Sequence, residues 1–148
     1  MRIALDTNVL VAGLLSPFGH PGEIMRMVSS DELTLCLDAR ILTEYDEVLR
    51  RPKFGFDGGD VATLLDFVRG RGTMVASAPL DLPLPDAGDR PFVEVALGSG
   101  ATYLVTGNLA HYPAGSCCGL DVVSPADFVV AYAARTGHRM SRRKGGAV

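Results

Sequence analysis

The stretch Arg2-Ile3-Ala4-Leu5-Asp6-Thr7-Asn8-Val9-Leu10 opens the chain and decides its fold class. A short apolar run that ends at a carboxylate predicts a buried β-strand over residues 2–5. A carboxylate in that position costs free energy unless it accepts hydrogen bonds, caps a helix or binds a cation. Asp6 is therefore either the N-cap of a helix that starts near Thr7, or a carboxylate for metal or phosphate chemistry at a strand end.

Similar apolar runs alternate with helical patterns along the rest of the chain. The helical patterns place apolar residues three and four positions apart, as at Ile41, Tyr45, Val48 and Leu49. This alternation predicts an α/β fold with one central parallel β-sheet and helices on both faces, and it places functional residues at the carboxyl ends of the strands. The predicted strands are 2–5, 34–37, 73–76, 102–105 and 121–123, and the predicted helices are 21–29, 39–50, 60–69, 90–97 and 125–134, with Ser124 as an N-cap.

Length and composition indicate one globular domain. The chain has 148 residues, of which 47% are hydrophobic and 21% charged, and this balance excludes disordered, collagen-like and coiled-coil proteins. The formal net charge of -3 excludes a basic surface over the whole molecule. Five of the 14 Lys and Arg residues fall at the end of the chain: Arg135, Arg139, Arg142, Arg143 and Lys144. We expect a domain over residues 1–135 and a basic tail over 136–148, which either solubilises the protein or attracts nucleic acid.

Cysteine usage and hydropathy predict a cytoplasmic protein without a membrane partner. The three cysteines are an odd number and form no Cys-x-x-Cys pair, which argues against a disulfide framework and a thiolate zinc site. Residues 95–120 contain no Asp, Glu, Lys or Arg, but glycine, asparagine, histidine and proline interrupt them repeatedly. We therefore expect a buried strand flanked by loops there, and not a membrane span.

Three more groups of polar residues have a place in site chemistry. Glu44 borders the apolar stripe of its helix, although a solvated glutamate is the commoner outcome. Asp86 and Asp89 precede the helix over 90–97, where they are either turn and N-cap residues or ligands for a hard cation. Thr106-Gly107-Asn108 follows a predicted strand, and it either lines a site or forms a turn in which the Gly and Asn take positive φ.

The order of these groups resembles the PIN-domain family, and in particular the bacterial toxins of type II toxin–antitoxin systems. The resemblance covers about residues 1–130, and as an ordered set its motifs are fairly specific. It implies a PIN-like fold and a metal-dependent endoribonuclease that hydrolyses RNA phosphodiester bonds, with a cognate antitoxin and a homodimer. The motifs are Asp6-Thr7-Asn8-Val9-Leu10, Leu42-Thr43-Glu44-Tyr45, Asp86-Ala87-Gly88-Asp89-Arg90-Pro91-Phe92, Tyr103-Leu104-Val105-Thr106-Gly107-Asn108, Leu109-Ala110-His111-Tyr112-Pro113 and Ser124-Pro125-Ala126-Asp127-Phe128.

The resemblance also implies roles for individual residues. It makes Asp6, Glu44 and Asp89 metal ligands and catalytic residues, with Asp86 as a fourth catalytic acid. It makes Asn8, Thr106 and Asn108 hydrogen-bonding partners of ligands, water or phosphate. The implied cofactor is Mg²⁺ or Mn²⁺, which activates water and neutralises charge on phosphate, and which relieves the repulsion among clustered carboxylates. Many family members have Asp where this chain has Asn108, and this difference removes one charge that a second metal would use.

Competing chemistries lack residues that they need. An aspartyl-phosphate phosphatase needs a second acid two residues after Asp6 and a lysine near the phosphate, but Asn8 stands there and the lysines are Lys53 and Lys144. The sequence contains no G-x-x-x-x-G-K-[ST] loop and no G-x-S-x-G motif. The serious alternative is a catalytically weak PIN-fold protein that acts by binding RNA or a protein partner, and Asn108 motivates it.

Two basic side chains near the acidic motifs have open roles. Arg90 is a candidate for phosphate contact, although a surface arginine is the commoner case. His111 is a candidate neighbour of substrate, although a lone loop histidine is more often structural or solvated. His20, in the loop before the helix over 21–29, is likewise expected to be a structural or solvated residue.

Overall fold

A five-stranded parallel β-sheet forms the centre of the protein. The computed structural model describes residues 1–137, and every strand pairing in that part of the chain is parallel. The strands are β1 (Arg2–Leu5), β2 (Thr34–Leu37), β3 (Thr73–Met74), β4 (Tyr103–Val105) and β5 (Val122–Val123). Their order across the sheet is β3-β2-β1-β4-β5. The predicted α/β class with one parallel sheet is confirmed.

Six α-helices connect or follow the strands within the described residues. They are α1 (Thr7–Leu15), α2 (His20–Ser29), α3 (Ala39–Leu49), α4 (Gly58–Arg71), α5 (Arg90–Ser99) and α6 (Pro125–Thr136). Short 3-10 helices occupy Pro52–Phe54, Ala87–Asp89 and Leu109–His111. The predicted N-cap Ser124 is confirmed, because its hydroxyl accepts a hydrogen bond from the Asp127 N–H at 3.1 Å.

The largest difference from prediction is α1, which the sequence indicated only as one interpretation of Asp6, and the other differences lie at element ends. The strand predicted over 73–76 is regular only at Thr73 and Met74, although the Val75 N–H still donates to the Leu37 carbonyl at 2.9 Å. α4 begins two residues earlier than predicted, because the Asp57 carboxylate caps it by accepting from the Asp60 N–H at 3.0 Å. These differences leave the sheet order and the position of the strand ends unchanged.

Both faces of the sheet are covered. Successive side chains of a strand point to opposite faces, and Ile3, Ala4 and Leu5 of β1 are all fully buried. α5 packs against β1, β2 and β4, whereas α2 packs against α1 and α6. Large side chains that complete the core include Tyr45 of α3, Phe92 of α5 and Phe128 of α6. Burial of this kind is the main favourable contribution to folding.

The strand order changes direction at the neighbouring strands β1 and β4. Chain connections run outward from β1 to β2 and β3 on one side, and from β4 to β5 on the other. Residues that follow β1 and β4 therefore emerge beside each other: the Asp6 N–H donates to the Val105 carbonyl at 2.9 Å. In open parallel sheets, ligands bind at such a switch point, beyond the carboxyl ends of the strands.

Two predictions concern the ends of the chain and its hydropathy. Within residues 1–137, no helix combines the length and apolar character needed to cross a bilayer. Most of the predicted basic tail, residues 138–148, lies outside the described residues. Arg135 is described: it belongs to α6, and its guanidinium carbon lies 5.9 Å from the centre of the Tyr103 ring.

Candidate active site

Asp6 lies at the switch point, and its side chain does not act as a helix cap. Asp6 occupies the N-cap position of α1, but its carboxylate makes no capping hydrogen bond. Instead, Oδ2 accepts from the Thr106 hydroxyl and from the Tyr112 hydroxyl, each at 2.9 Å. The residue is only 5% exposed. Of the two interpretations of Asp6 from sequence, the structure therefore rules out the capping side chain and leaves an oriented, buried carboxylate.

Glu44 reaches the same place from α3. The fully buried Tyr45, the next residue, donates its hydroxyl to the Leu5 carbonyl at 2.6 Å and so fixes α3 against the end of β1. The Thr7 hydroxyl donates to Glu44 Oε2. Burial, together with the carboxylates of Asp6 and Glu44, raises the pKa of Tyr45, which keeps its hydroxyl protonated as a donor. Glu44 is thus a held side chain and not a freely solvated one.

Asp89 comes to this site from the start of α5, again without capping its helix. His111 Nδ1 lies 3.0 Å from Asp89 Oδ2, which is ion-pair distance. That oxygen is nevertheless buried and accepts no hydrogen bond of acceptable geometry from the described residues. Desolvation, then the negative charge of Asp6, raise the pKa of Asp89 to about 6, although His111 acts in the opposite direction. Within residues 1–137, His111 is therefore the one ion-pair partner of the Asp89 carboxylate, and it does not offset the cost of burial.

A cleft of about 400 Å³ brings these side chains together. Its polar wall contains the three acids, with Thr7, Asn8 and His111. Its apolar wall is formed by Val11, Ala12 and Leu15 of α1, Val48 of α3, and Phe54. No Lys or Arg is among these lining residues, so His111 is the sole candidate cation on the cleft wall within residues 1–137. The cleft is a concentrated negative site beside an apolar surface.

Comparison with known proteins identifies the family. The PIN-domain family model matches residues 2–110, which is most of the chain and includes all three acids. The chain belongs to the PIN-domain family. No curated protein matches the sequence significantly.

Solved structures share the PIN-domain fold with this chain at low sequence identity. VapBC2 from Rickettsia felis, bound to a DNA fragment from its promoter, superposes with a TM-score of 0.58 at 16% identity, covering 84% of this chain and 98% of that one. VapBC-1 from nontypeable Haemophilus influenzae gives 0.54 at 16% identity, with coverage of 85% and 99%. FitAB bound to an IR36 DNA fragment gives 0.54 at 16% identity, with coverage of 83% and 94%. These matches establish the fold.

The other predicted site residues of this PIN domain differ in their burial and in whether they line the cleft. Asn8 lines it, and its Oδ1 accepts from the Gly107 N–H at 2.9 Å. Thr106 is fully buried, and its hydroxyl both donates to Asp6 and accepts from the Asn108 N–H at 3.1 Å. Asn108 itself is exposed with φ -138°, and Gly107 also has a non-positive φ, so the interpretation as a positive-φ turn was wrong.

Asp86 and the other flanking residues stand outside the cleft lining. Asp86 is exposed and caps the short helix Ala87–Asp89, its Oδ1 accepting from the Gly88 N–H at 2.8 Å. Its charge still contributes to the raised pKa of Asp89. Arg90 donates through Nε to the Leu82 carbonyl at 3.3 Å, and thus holds the preceding loop. His20 is the exposed first residue of α2.

The donor set of the PIN-domain cleft suits a hard divalent cation. Mg²⁺ is commonly held by one or two carboxylates while it retains several waters. No three His, Cys, Asp or Glu side chains among the described residues form a ready-made metal cage. The cleft does offer carboxylate oxygens with no arginine or lysine beside them, including the buried Asp89 Oδ2 that accepts no hydrogen bond. A partly hydrated Mg²⁺ or Mn²⁺ fits this arrangement better than a fully protein-coordinated ion.

Sequence reasoning missed Tyr112 and the role of Thr7. Burial and the charges of Asp6 and Asp89 raise the pKa of Tyr112, so it remains a hydroxyl donor to Asp6. The only sequence signal for Tyr112 was its place in the segment Leu109-Ala110-His111-Tyr112-Pro113, after β4. His111, for which a structural or solvated role was the commoner expectation, in fact lines the cleft beside Asp89.

We expect Asp89→Asn to stabilise the metal-free protein at about pH 7. With its pKa raised from 3.8 to about 6, ionised Asp89 costs free energy in the folded state. The neutral amide avoids this cost. Allowing for the 14% exposure of the side chain, the free energy of unfolding should rise by about 1–2 kcal/mol. Urea unfolding in EDTA measures the change, with the exposed Asp66→Asn as a control that should leave stability unaltered.

The gain from Asp89→Asn should disappear on acidification. Between about pH 6 and pH 4 the folded wild type holds a proton that the unfolded chain has released, so wild-type stability increases toward lower pH. Below about pH 4 the carboxyl group is protonated in both states and no longer distinguishes the two proteins. A difference that stays constant from about pH 7 to pH 4 would contradict the raised pKa.

Proposed function

We propose that this PIN-domain protein is a Mg²⁺- or Mn²⁺-dependent endoribonuclease that hydrolyses RNA phosphodiester bonds. The observation that carries the proposal is the meeting of Asp6, Glu44 and Asp89, from three separate elements, in one cleft at the switch point of the sheet. Like charges gathered in one cleft are unfavourable for folding, and such groups concentrate at functional sites. Their chemistry suits a cation that in turn recruits an anionic phosphate.

The chain contributes orientation and charge to this reaction. Asp6, Glu44 and Asp89 would hold the metal, which supplies an activated water and relief of negative charge on phosphate. Thr106 and Tyr112 both donate to Asp6 Oδ2 and so fix the orientation of the carboxylate. Neither of these two hydrogen bonds uses the second oxygen, Oδ1. Thr7 restrains Glu44 in the same way. Asn8 and Asn108 remain proposed hydrogen-bonding partners of water or phosphate, and Asp86 a proposed additional acid next to Asp89.

We also propose that the nuclease is the toxin of a toxin–antitoxin pair that acts in the cytoplasm. Support comes from the structural neighbours, which are toxin–antitoxin proteins: VapBC2, VapBC-1 and FitAB. The proposal includes a cognate antitoxin that covers the acidic cleft, and a homodimer. Growth arrest on expression, relieved by the product of an adjacent gene, tests the toxin role, and light scattering tests the dimer. Growth unaffected by strong expression of a protein that is active in vitro would contradict the toxin role.

Purified protein should cleave single-stranded RNA with Mn²⁺ or Mg²⁺ and stop doing so in EDTA. Glu44→Gln should reduce the cleavage rate about 100-fold, because it removes a carboxylate from the metal site. Glu47→Gln, an exposed position on the same helix, is the matched control and should cleave like the wild type. Cleavage that survives EDTA would exclude a metal-dependent enzyme. RNA binding without cleavage in Mn²⁺ would instead favour a catalytically weak PIN-fold protein.

A further inference from the structure

A short segment beyond the end of α3 forms one rim of the acidic cleft. It comprises residues 51–56, and we call it the aromatic rim. Phe54 lines the same cleft as Asp6, Glu44 and Asp89, and it is only partly buried. Nothing in the proposed chemistry uses this ring. With the proposed cation held by the carboxylates, a cleft that also has an apolar wall suits a ligand with an anionic part and a flat apolar part.

The rim carries two positive charges that form no salt bridge with the residues that the structure describes. Arg51 and Lys53 are exposed, and within residues 1–137 neither forms a salt bridge. Arg50, by contrast, pairs with Asp46 one turn earlier on α3. A protein with a net charge of -3 thus carries two cations without a salt bridge close in sequence to Phe54, which lines the acidic cleft. Unpaired cations at an exposed rim attract phosphates, and the attraction extends over about 10 Å at moderate salt.

The Phe54 ring is held in place by its neighbours in the rim. Gly55 has φ 68°, in the left-handed region that favours glycine, and this turn brings Phe56 alongside. The Phe54 and Phe56 ring centres lie 5.9 Å apart with 25° between their planes. The Lys53 ammonium lies 5.1 Å from the Phe54 ring centre. A single exposed cation–π contact is weaker than stacking of a nucleobase on an aromatic ring, so a base displaces the flexible Lys53.

We propose that Phe54 stacks a base of single-stranded RNA next to the cleaved phosphate, while Arg51 and Lys53 contact the neighbouring phosphates. The inference rests on the proposed nuclease function, and it adds a base-binding subsite to it. A single strand is required because the bases of a duplex are already stacked on one another and do not present a free face to Phe54. Aromatic stacking beside cations is the recurring chemistry of such sites and is tolerant of base identity.

The test is binding of an end-labelled single-stranded RNA of about eight nucleotides, a length typical of such sites. Fluorescence anisotropy is measured with Ca²⁺ in place of Mg²⁺, and gels verify that the RNA stays intact. Phe54→Leu should weaken binding about tenfold and Phe54→Trp should restore it. Phe67→Leu is the matched control, because Phe67 is also partly buried with a cation 5.4 Å from its ring centre but belongs neither to the rim nor to the cleft lining, and it should bind RNA like the wild type. Melting curves verify that each variant is folded.

Charge and strand type provide two further readouts. Arg51→Gln and Lys53→Gln should each reduce the slope of log affinity against log salt by about 0.7, the value for one phosphate contact on a single strand. Duplex RNA of the same length should bind equally to the wild type and to Phe54→Leu. Equal single-strand affinity of wild type and Phe54→Leu would overturn the proposal. If Phe54→Leu weakened the binding of a protein partner but not the binding of RNA, the proposal would also be overturned, and the rim would be a protein-docking surface.

Failure of the subsite and failure of the proposed function are distinguishable. If the wild type shows no metal-dependent cleavage while Phe54→Leu still weakens RNA binding, the subsite stands and the nuclease proposal falls. If the wild type cleaves RNA while Phe54→Leu has unaltered affinity and KM, the nuclease proposal stands and the subsite is wrong. With both correct, Phe54→Leu raises KM about tenfold and leaves kcat near the wild-type value, because stacking contributes to ground-state binding.

Discussion

Asp6→Asn should lower the rate of RNA cleavage about 1000-fold, which corresponds to about 4 kcal/mol of lost transition-state stabilisation. The amide keeps the shape of the side chain but removes the charge that the proposed metal would need. In the wild type, the Thr106 and Tyr112 hydroxyls both donate to Oδ2. If the NH₂ group of the substituted amide takes that position, the two hydroxyls face a donor in place of an acceptor. We expect a larger loss than for Glu44→Gln, because Asp6 is the acid that the fold orients most completely.

The measurement is single-turnover cleavage of a labelled RNA with Mn²⁺, with the exposed Asp66→Asn as the charge-matched control. The control should cleave at the wild-type rate, because it removes the same charge far from the cleft lining. Circular dichroism and melting temperature establish that both variants are folded. Asp6→Asn protein that is folded and cleaves within tenfold of the wild-type rate would remove Asp6 from the proposed metal site.

Gly22→Ala should lower the free energy of unfolding by about 3 kcal/mol. Gly22 is buried in α2, and a Cβ there would lie 2.1 Å from the Pro17 carbonyl oxygen and 2.4 Å from its carbon. Both atoms belong to the backbone, so the connection between α1 and α2 would have to move. Gly13 of α1 makes a similarly close approach, because a Cβ added there would lie 2.7 Å from Met25 Cγ. Small residues on both helices let them pack closely, and α1 carries Thr7 and Asn8 of the cleft.

Gly19→Ala provides the control for Gly22→Ala within the same connection. Gly19 has φ -88°, which any residue adopts, and the atom nearest to an added Cβ is 3.7 Å away. Its stability should remain within about 0.5 kcal/mol of the wild type. Urea unfolding with an unchanged slope measures both variants. Equal stabilities of Gly22→Ala and Gly19→Ala would mean that the α1–α2 connection yields without cost.

The sheet could be predicted from sequence because its signals are local. Each strand is a short apolar run, and α2, α3 and α5 show apolar stripes at helical spacing within single segments. Element ends were less accurate where side chains decide them: Asp57 starts α4 two residues early by capping it. The parallel pairing followed from the alternation of strands and helices, since parallel strands need crossover connections, whereas the strand order came only from the structure.

The partners of the acids could not be predicted from local patterns. The positions of Asp6, Glu44 and Asp89 in the predicted elements made them weak candidates, the resemblance to PIN domains gave them a shared role, and the structure brings them to one cleft. The hydrogen bond from Tyr112 to Asp6 joins residues 106 positions apart, and no periodicity reports such a contact. Similarly, the capping interpretation of Asp6 was reasonable for residues 6–10 alone. It fails because the hydroxyls of two residues distant in sequence donate to the carboxylate.

The same long-range contacts determine when the site exists during synthesis of the protein. The hydroxyls that orient Asp6 are encoded 100 and 106 residues after it, on the segment that follows β4. A nascent chain that has emerged from the ribosome only as far as α5 contains the three acids but not Thr106, Tyr112 or the strand beside β1. Activity should therefore appear late in translation, and products truncated before β4 should be inert. The chain order delays assembly of the site until most of the domain has been made.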